Sequence, residues 1–219
     1  MRRGSLVLLA VLAGLSGQFL EAADQDVPEG FEKLFNGKDL TGWKVHRGKL
    51  EAWGAGDGIL FTSGSGGGWL MTEKEYGDFE LRLEFKLPPR GNSGVALRAP
   101  LEGDPAYTGM EIQILDDAWH KENYKGLRDV QLTGAIYDVV APAKSASKPP
   151  GEWNTYRIIA RGRQVTVILN GTEVVNAHLD DYKDKFAKHP GLQRAKGHIG
   201  LQSHGSRVEF RNLYVKPLP

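Results

Sequence analysis

Phe79-Glu80-Leu81-Arg82-Leu83-Glu84-Phe85-Lys86-Leu87 is the stretch on which the fold turns, because apolar and charged side chains alternate along its whole length. A period of two puts Phe79, Leu81, Leu83, Phe85 and Leu87 on one face and Glu80, Arg82, Glu84 and Lys86 on the other, which is the pattern of a strand buried on one side. Pro88-Pro89-Arg90-Gly91 ends it, since proline brings no amide to a ladder. The same period recurs outward from here. In Gly94 to Arg98, Val95 and Leu97 lie opposite Ala96 and Arg98. Met110, Ile112 and Ile114 alternate with Glu111, Gln113 and Leu115. Trp153 to Arg161 and Gln164 to Leu169 read as two strands joined at Gly162-Arg163. Asn170-Gly171 then predicts a type I′ hairpin turn into Glu173 to Asn176. His198 to Ser203 and Arg207 to Lys216 close the chain, separated by His204-Gly205-Ser206.

Short strands with a turn every eight to twelve residues, in a chain with 28 glycines, predict an all-β sandwich of antiparallel sheets rather than a parallel α/β sheet. Leu179 to Arg194 is charged and lacks alternation, so it reads as a loop or short helix over one edge. Ala141 to Gly151, with Pro142, Pro149 and Pro150, reads as a surface loop. No internal repeat or long linker appears, which gives one domain over 23–219. Residues 1–22 read as an export leader: Arg2 and Arg3, an apolar run from Ser5 to Leu15, then Leu20-Glu21-Ala22-Ala23. That run is shorter than the roughly 20 residues a membrane span needs. The expectation is an exported protein, periplasmic or extracellular, with no membrane span.

Removing 1–22 takes out Arg2, Arg3 and Glu21, so 28 basic and 27 acidic residues become 26 and 26. A neutral chain of mixed sign has no electrostatic footprint for nucleic acid or an anionic membrane. The absence of cysteine excludes disulfides, thiolate zinc sites and a cysteine-linked lipid anchor.

Strand phase also sorts the polar residues. With Met110, Ile112 and Ile114 inward, Glu111 and Gln113 point away from the core, about 7 Å apart along the strand. With Val95 and Leu97 inward, Arg98 lies opposite. With Ile199 and Leu201 inward, Gln202 and His204 lie opposite, and Gly200 leaves room for a ligand. One such strand is as well explained by a solvated outer face; convergence of three favours a shared site.

Gly30-Phe31-Glu32-Lys33-Leu34-Phe35-Asn36-Gly37-Lys38-Asp39-Leu40-Thr41-Gly42-Trp43 resembles the opening of the 3-keto-disaccharide hydrolase family. Further matching blocks are Gly91-Asn92-Ser93-Gly94, Gly109 to Asp116, Gly134-Ala135-Ile136-Tyr137, Gly151-Glu152-Trp153-Asn154, Leu169-Asn170-Gly171, and Gly197 to Gly205 running into Phe210-Arg211-Asn212. The similarity covers about residues 30 to 218; Ser203 departs from it, standing where an acidic residue or asparagine is common. The resemblance implies a concanavalin A-like jelly-roll β-sandwich of two antiparallel sheets with a concave ligand face. It also implies 3-keto-glucoside 1,2-lyase and 3-keto-2-hydroxyglucal hydratase chemistry on a small oxidised glycoside or disaccharide. A sugar 3-dehydrogenase would supply that ketone.

Such chemistry needs a base near C2, a donor at the C3 oxygen and an acid for the departing oxygen. Glu111 is the leading acid/base candidate, followed by His204, whose imidazole titrates near neutrality. Arg98 would hold sugar oxygens or stabilise an enolate. Gln113 and Gln202 would bond hydroxyls, and Asn92 would add an amide or satisfy its own turn. Tyr137 would donate to an oxyanion, stack, or fill a half-buried strand position. Trp119, beside His120 in a polar segment, is the sugar-stacking candidate, whereas Trp43, Trp53, Trp69 and Trp153 include core anchors.

No cofactor is evident, and the sequence leaves a divalent metal open without supplying a motif for one. The six histidines form no His-x-His or His-Glu-x-x-His pair. Asp116-Asp117 would be either a calcium site or a capped turn, and lacks EF-hand spacing. Ser63-Gly64-Ser65-Gly66-Gly67-Gly68 lacks the ending of a phosphate loop and reads as a flexible turn. Two other functions compete. One is a carbohydrate-binding module on the same face. The other is an ordinary glycosidase, which needs a second carboxylate roughly 5 or 6.5–9.5 Å from the first; the strand pattern offers Glu111 no partner.

Overall fold

The computed structural model describes residues 27–219; the proposed export leader lies outside the described residues. The strands are β1 (Glu32–Lys33), β2 (Trp43–His46), β3 (Trp53–Gly56), β4 (Ile59–Thr62), β5 (Gly67–Tyr76), β6 (Phe79–Lys86) and β7 (Asn92–Ala99). They continue as β8 (Met110–Leu115), β9 (Asn154–Arg161), β10 (Gln164–Leu169), β11 (Thr172–His178), β12 (Gly197–His204) and β13 (Glu209–Pro217). Two short helices flank β8: α1 (Pro105–Thr108) before it and α2 (Asp117–Asn123) after it.

The strands form two antiparallel sheets packed as a concanavalin A-like jelly roll. One runs β11-β10-β9-β6-β13-β4-β3 with β1 added beside β13; the other runs β2-β5-β12-β7-β8. Strand β6 sits between β9 and β13, and its Phe79, Leu81, Leu83 and Phe85 are buried in the core, as the alternation requires. Val95, Leu97, Met110, Ile112, Ile114, Ile199 and Leu201 from the second sheet join them in one apolar cluster. Each such side chain contributes about 1.5–3 kcal/mol by leaving water. Across that core, Tyr156 packs tilted against Phe85, with ring centroids 4.8 Å apart, and its hydroxyl donates to the Gln113 carbonyl at 2.6 Å, joining the two sheets.

The outer face of the larger sheet is an ion-pair lattice. Glu80 accepts from Arg157 Nε and Arg82 Nε at 2.7 Å each, and the Arg157 contact leads in holding its carboxyl below the usual range. Glu84 accepts from Arg211 and Asn212 at 2.8 Å. These partners account for the polar half of the β6 pattern without a ligand.

Asn170 and Gly171 take φ of 51° and 77°, as a type I′ turn demands. Leu179 to Arg194 contains two 3-10 helices, Leu179–Lys185 and Pro190–Gln193. The alternation test passes over β1 to β5, because Gly54, Gly56, Gly67 and Gly68 break their apolar pattern into lengths too short to show a period. Among the described residues no helix is long and apolar enough to cross a membrane.

Candidate active site

Register in the five-stranded sheet brings distant sequence segments side by side. Glu111 lies opposite Ala96 and Gln113 opposite Gly94. Ala96 lies beside Gly200, Gly200 beside Met71, Gln202 beside Trp69 and His204 beside Gly67. Since alternate residues share a face, Glu111, Gln113, Gln202, His204, Trp69 and Met71 all emerge on the side away from the core.

A cavity of about 460 Å³ opens on this face, walled by Arg47, Trp69, Asp104, Gln202, Ser203 and His204 together with Gly66, Gly67, Gly68 and Gly205. That volume falls in the range of small-molecule sites. Its apolar side belongs to a second cluster, separate from the core, in which Trp69, Met71, Ala96, Ala99 and Ala106 pack with Leu101 and Tyr107. Asn92 Nδ2 stands 3.3 Å from His204 Nδ1 and so orients that ring. The glycine run read as a flexible turn leads into β5 and forms part of the wall. A Cβ at Gly68 would lie 2.4 Å from the Arg47 carbonyl oxygen, so only glycine lets the Arg47–Gly48 backbone close against it. Arg47 itself takes a left-handed φ of 55°.

Glu111 sits just behind this wall, 3% exposed. Its carboxyl lies over Gly94, and it accepts no hydrogen bond from another side chain or amide among the described residues. Burial, and secondly the negative charge of Asp104, push it up to about 8. Asp104 caps α1 by accepting from Ala106 N at 3.2 Å, and its carbonyl accepts from Thr108 Oγ1 at 2.9 Å. His46 Nε2, 2.9 Å from the Gly103 carbonyl, ties the same loop to β2.

The structure removes several expected contributors from this cavity. Arg98 is a correction: it is fully buried and faces away from the site. Ala96 to Ala99 on β7 oppose only Gly200 to His198 on β12, so an extra residue bulges from β7 and Arg98 takes φ of 49°. Its guanidinium donates to the carbonyls of Gly77 (2.9 Å) and Gly162 (2.8 Å) and to Asp78 (2.9 Å). It therefore ties the β5–β6 turn, which passes from one sheet to the other, to the β9–β10 turn of the larger sheet. Gln113 shares the outer face, but its Oε1 turns back to accept from Ile114 N at 3.0 Å. Gly200 leaves no room for a ligand: a Cβ there would meet the Met71 sulfur at 2.4 Å, so Met71 already fills that space.

Tyr137 stands outside the cavity wall but flanks Glu111, with its amide donating to the Glu111 carbonyl at 2.8 Å and its hydroxyl accepting from Gln131 at 3.1 Å. Trp119 is in α2, packed on His120 and Tyr124 under the Arg90 guanidinium, and is not part of the wall. Asp116 and Asp117 act as caps: Asp116 accepts from Arg90 N and Trp119 N, and Asp117 from Thr133 N and Oγ1. Among the described residues no three His, Asp or Glu side chains gather as a metal site would require.

Three wall residues carry no mark in the strand pattern. Asp104 lies in a loop before a four-residue helix, and only Asp-Pro as a helix-start signal points to it. Trp69 sits in the apolar run Trp69-Leu70-Met71, which reads as core until its register shows it facing out. Arg47 lies in a turn.

Comparison with known proteins gives this geometry a family. Residues 30–216 match the model of the 3-keto-alpha-glucoside-1,2-lyase-like domain. A Bacteroides thetaiotaomicron protein named 3-keto-disaccharide hydrolase is 30% identical, over 91% of this chain and 84% of its own length. The crystal structure of a Parabacteroides distasonis protein described as a glycosyl hydrolase is 32% identical with a TM-score of 0.75, covering 87% of this chain and 95% of that one. A carbohydrate-binding module of Bacillus subtilis, 17% identical with a TM-score of 0.55 over 80% of this chain and 96% of its own, shares the fold. The chain thus belongs to the 3-keto-alpha-glucoside-1,2-lyase-like domain family, a carbohydrate-acting hydrolase and lyase family.

Proposed function

We propose that this protein cleaves 3-keto-glycosides by removing the C2 proton, expelling the C1 substituent and hydrating the resulting glucal. The observation that carries the reading is Glu111. It is a carboxyl held near pH 8 by burial, on the same sheet face as a cavity walled by Trp69, Gln202 and His204. A C3 ketone acidifies the C2 hydrogen because the carbanion delocalises onto oxygen. Cleavage then needs proton transfer and oxyanion stabilisation rather than an oxocarbenium-like state.

The residues divide this work by chemistry. Glu111 transfers a proton, since a carboxyl near 8 is a stronger base than an ordinary carboxylate and a usable acid at neutrality. The Asn92 contact engages Nδ1 of His204 and leaves its Nε2 free to meet the C3 oxygen as the enolate forms. Gln202 bonds sugar hydroxyls, and Trp69, packed behind the wall and almost wholly buried, holds that wall rigid. The substrate must come from an oxidation at C3, the work of a sugar 3-dehydrogenase. The reading of residues 1–22 as an export leader supports cleavage outside the cytoplasm.

The test offers purified protein a 3-keto-glucoside and its unoxidised parent, beside Glu111→Gln and His204→Ala. Cleavage of the keto sugar alone is expected, with each substitution lowering it by about 100-fold or more. Asp104 stands in the wall as a carboxylate besides Glu111, so comparable cleavage of the parent would overturn the proposal in favour of an ordinary glycosidase. Sugar binding without cleavage of either compound would make the domain a binding module.

A further inference from the structure

We propose that Asp104 and Glu111 divide the two proton transfers, Asp104 taking the C2 proton and Glu111 protonating the departing C1 oxygen; this rests on the 3-keto-glycoside reading above. The two carboxyls stand in different surroundings on the same face of the sheet, Asp104 in the cavity wall and Glu111 behind it, close enough for the Asp104 charge to act on Glu111. Asp104 stands in the cavity wall with Gln202 and His204. One of its oxygens accepts the Ala106 amide at 3.2 Å, which leaves the other to receive a proton from a bound sugar. Its backbone is held on both sides, by Thr108 Oγ1 and by the His46 contact to Gly103, so the carboxylate is positioned by the fold and not by the ligand.

Glu111 is the opposite case. It is buried on the same face, its carboxyl lies over Gly94, and no side chain or amide among the described residues donates to it. A buried carboxylate without a partner is costly, so the neutral acid is the form this environment favours. The charged or titratable groups acting on it are Asp104 before α1, which raises it, and Tyr107 on α1, whose phenol responds to Glu111 in turn. Paired carboxyls in such unequal settings take acid and base roles separately.

The cycle balances. In elimination the C2–H bond breaks and its proton goes to the Asp104 carboxylate, while the electron pair becomes the C3 enolate. The enolate then expels the C1 oxygen, which takes the proton from Glu111, leaving the C1–C2 alkene conjugated to the ketone. In hydration a water oxygen bonds to C1 and loses its proton to the Glu111 carboxylate, and Asp104 returns its proton to C2. Both residues end in their starting states. One water has been consumed per bond cleaved.

Two assays separate these roles: solvent-deuterium exchange at C2, and cleavage of 3-keto-glucosides carrying either methoxide or 4-nitrophenolate at C1, in both anomers. Asp104→Asn keeps a good α1 cap, and Asp104→Ser provides a second capping variant if the first melts early. Both Asp104 variants are expected to lose exchange and to lose about 100-fold or more on both leaving groups. Glu111→Gln is expected to retain exchange, to lose about 100-fold on the methyl glycoside, and to lose far less on the nitrophenyl glycoside, whose leaving group needs no acid. If folded Asp104 variants keep exchange and cleavage while the wild type is active, this division of labour is overturned and the 3-keto-glycoside reading stands. Loss of exchange in Glu111→Gln would also overturn it, by making Glu111 the base. A wild type inert toward every keto-glucoside overturns both.

Discussion

The Glu111 carboxyl occupies the space that a side chain at Gly94 would need: a Cβ there would lie 2.0 Å from Glu111 Oε1. The two residues are on neighbouring strands, β8 and β7, with Gly94 opposite Gln113 and Ala96 opposite Glu111. The glycine is therefore part of the site, since it lets a long acidic side chain lie flat on the sheet.

Gly94→Ala should displace that carboxyl. Overpacking of this kind costs about 1–3 kcal/mol, and cleavage should fall by at least about tenfold from the lost alignment. Thermal melting and kinetics on a keto-glucoside measure both. In a Glu111→Ala background the same alanine should fit without further loss of stability; a full penalty there would place the clash elsewhere.

Glu111 also predicts the pH dependence of stability. Its folded pKa of about 8 lies above the ordinary 4.5, so between these values the folded chain keeps a proton that the unfolded chain releases. Its contribution is present below about 4.5 and is lost as pH rises toward 8, at up to about 1.4 kcal/mol per pH unit. Denaturant titrations from pH 5 to 9 should show wild-type stability falling across this window. Glu111→Gln should flatten the slope, and an unchanged slope would contradict the buried acid.

Arg98 should prove structural. Arg98→Met removes the contacts to Gly77, Gly162 and Asp78; Asp78 stays partly solvated, so the loss is that of carbonyls left unpaired, about 1–3 kcal/mol for each that stays buried. Chemical denaturation should show that loss. The folded fraction should keep the wild-type KM, because the guanidinium points away from the cavity.

The two tryptophans should separate cleanly. Trp69→Ala removes the packed indole that supports the cavity wall and should weaken sugar affinity by about tenfold, within the range of a lost aromatic contact. Trp119→Phe, outside the wall, should leave affinity unchanged. Calorimetric titration with a glucoside distinguishes them, and the reverse order would move the sugar to α2.

Periodicity alone determined the second half of the fold. Strands such as β6 and β8 bury one face and wet the other, so hydrophobic phase writes itself into every second residue, and the Asn170-Gly171 turn must take positive φ wherever it occurs. The same phase placed Glu111, Gln113, Gln202 and His204 away from the core. Only the tertiary structure decided the rest. A bulge is a matter of pairing, so nothing within Val95-Ala96-Leu97-Arg98 shows that Arg98 turns from the site toward Asp78. Trp69 faces outward because of its partner on β12, and Asp104 reaches the cavity because a loop between strands folds back over the sheet. Local alternation reports which side of a strand is dry. What meets across that side depends on register and loop closure, which are set between segments far apart in the chain.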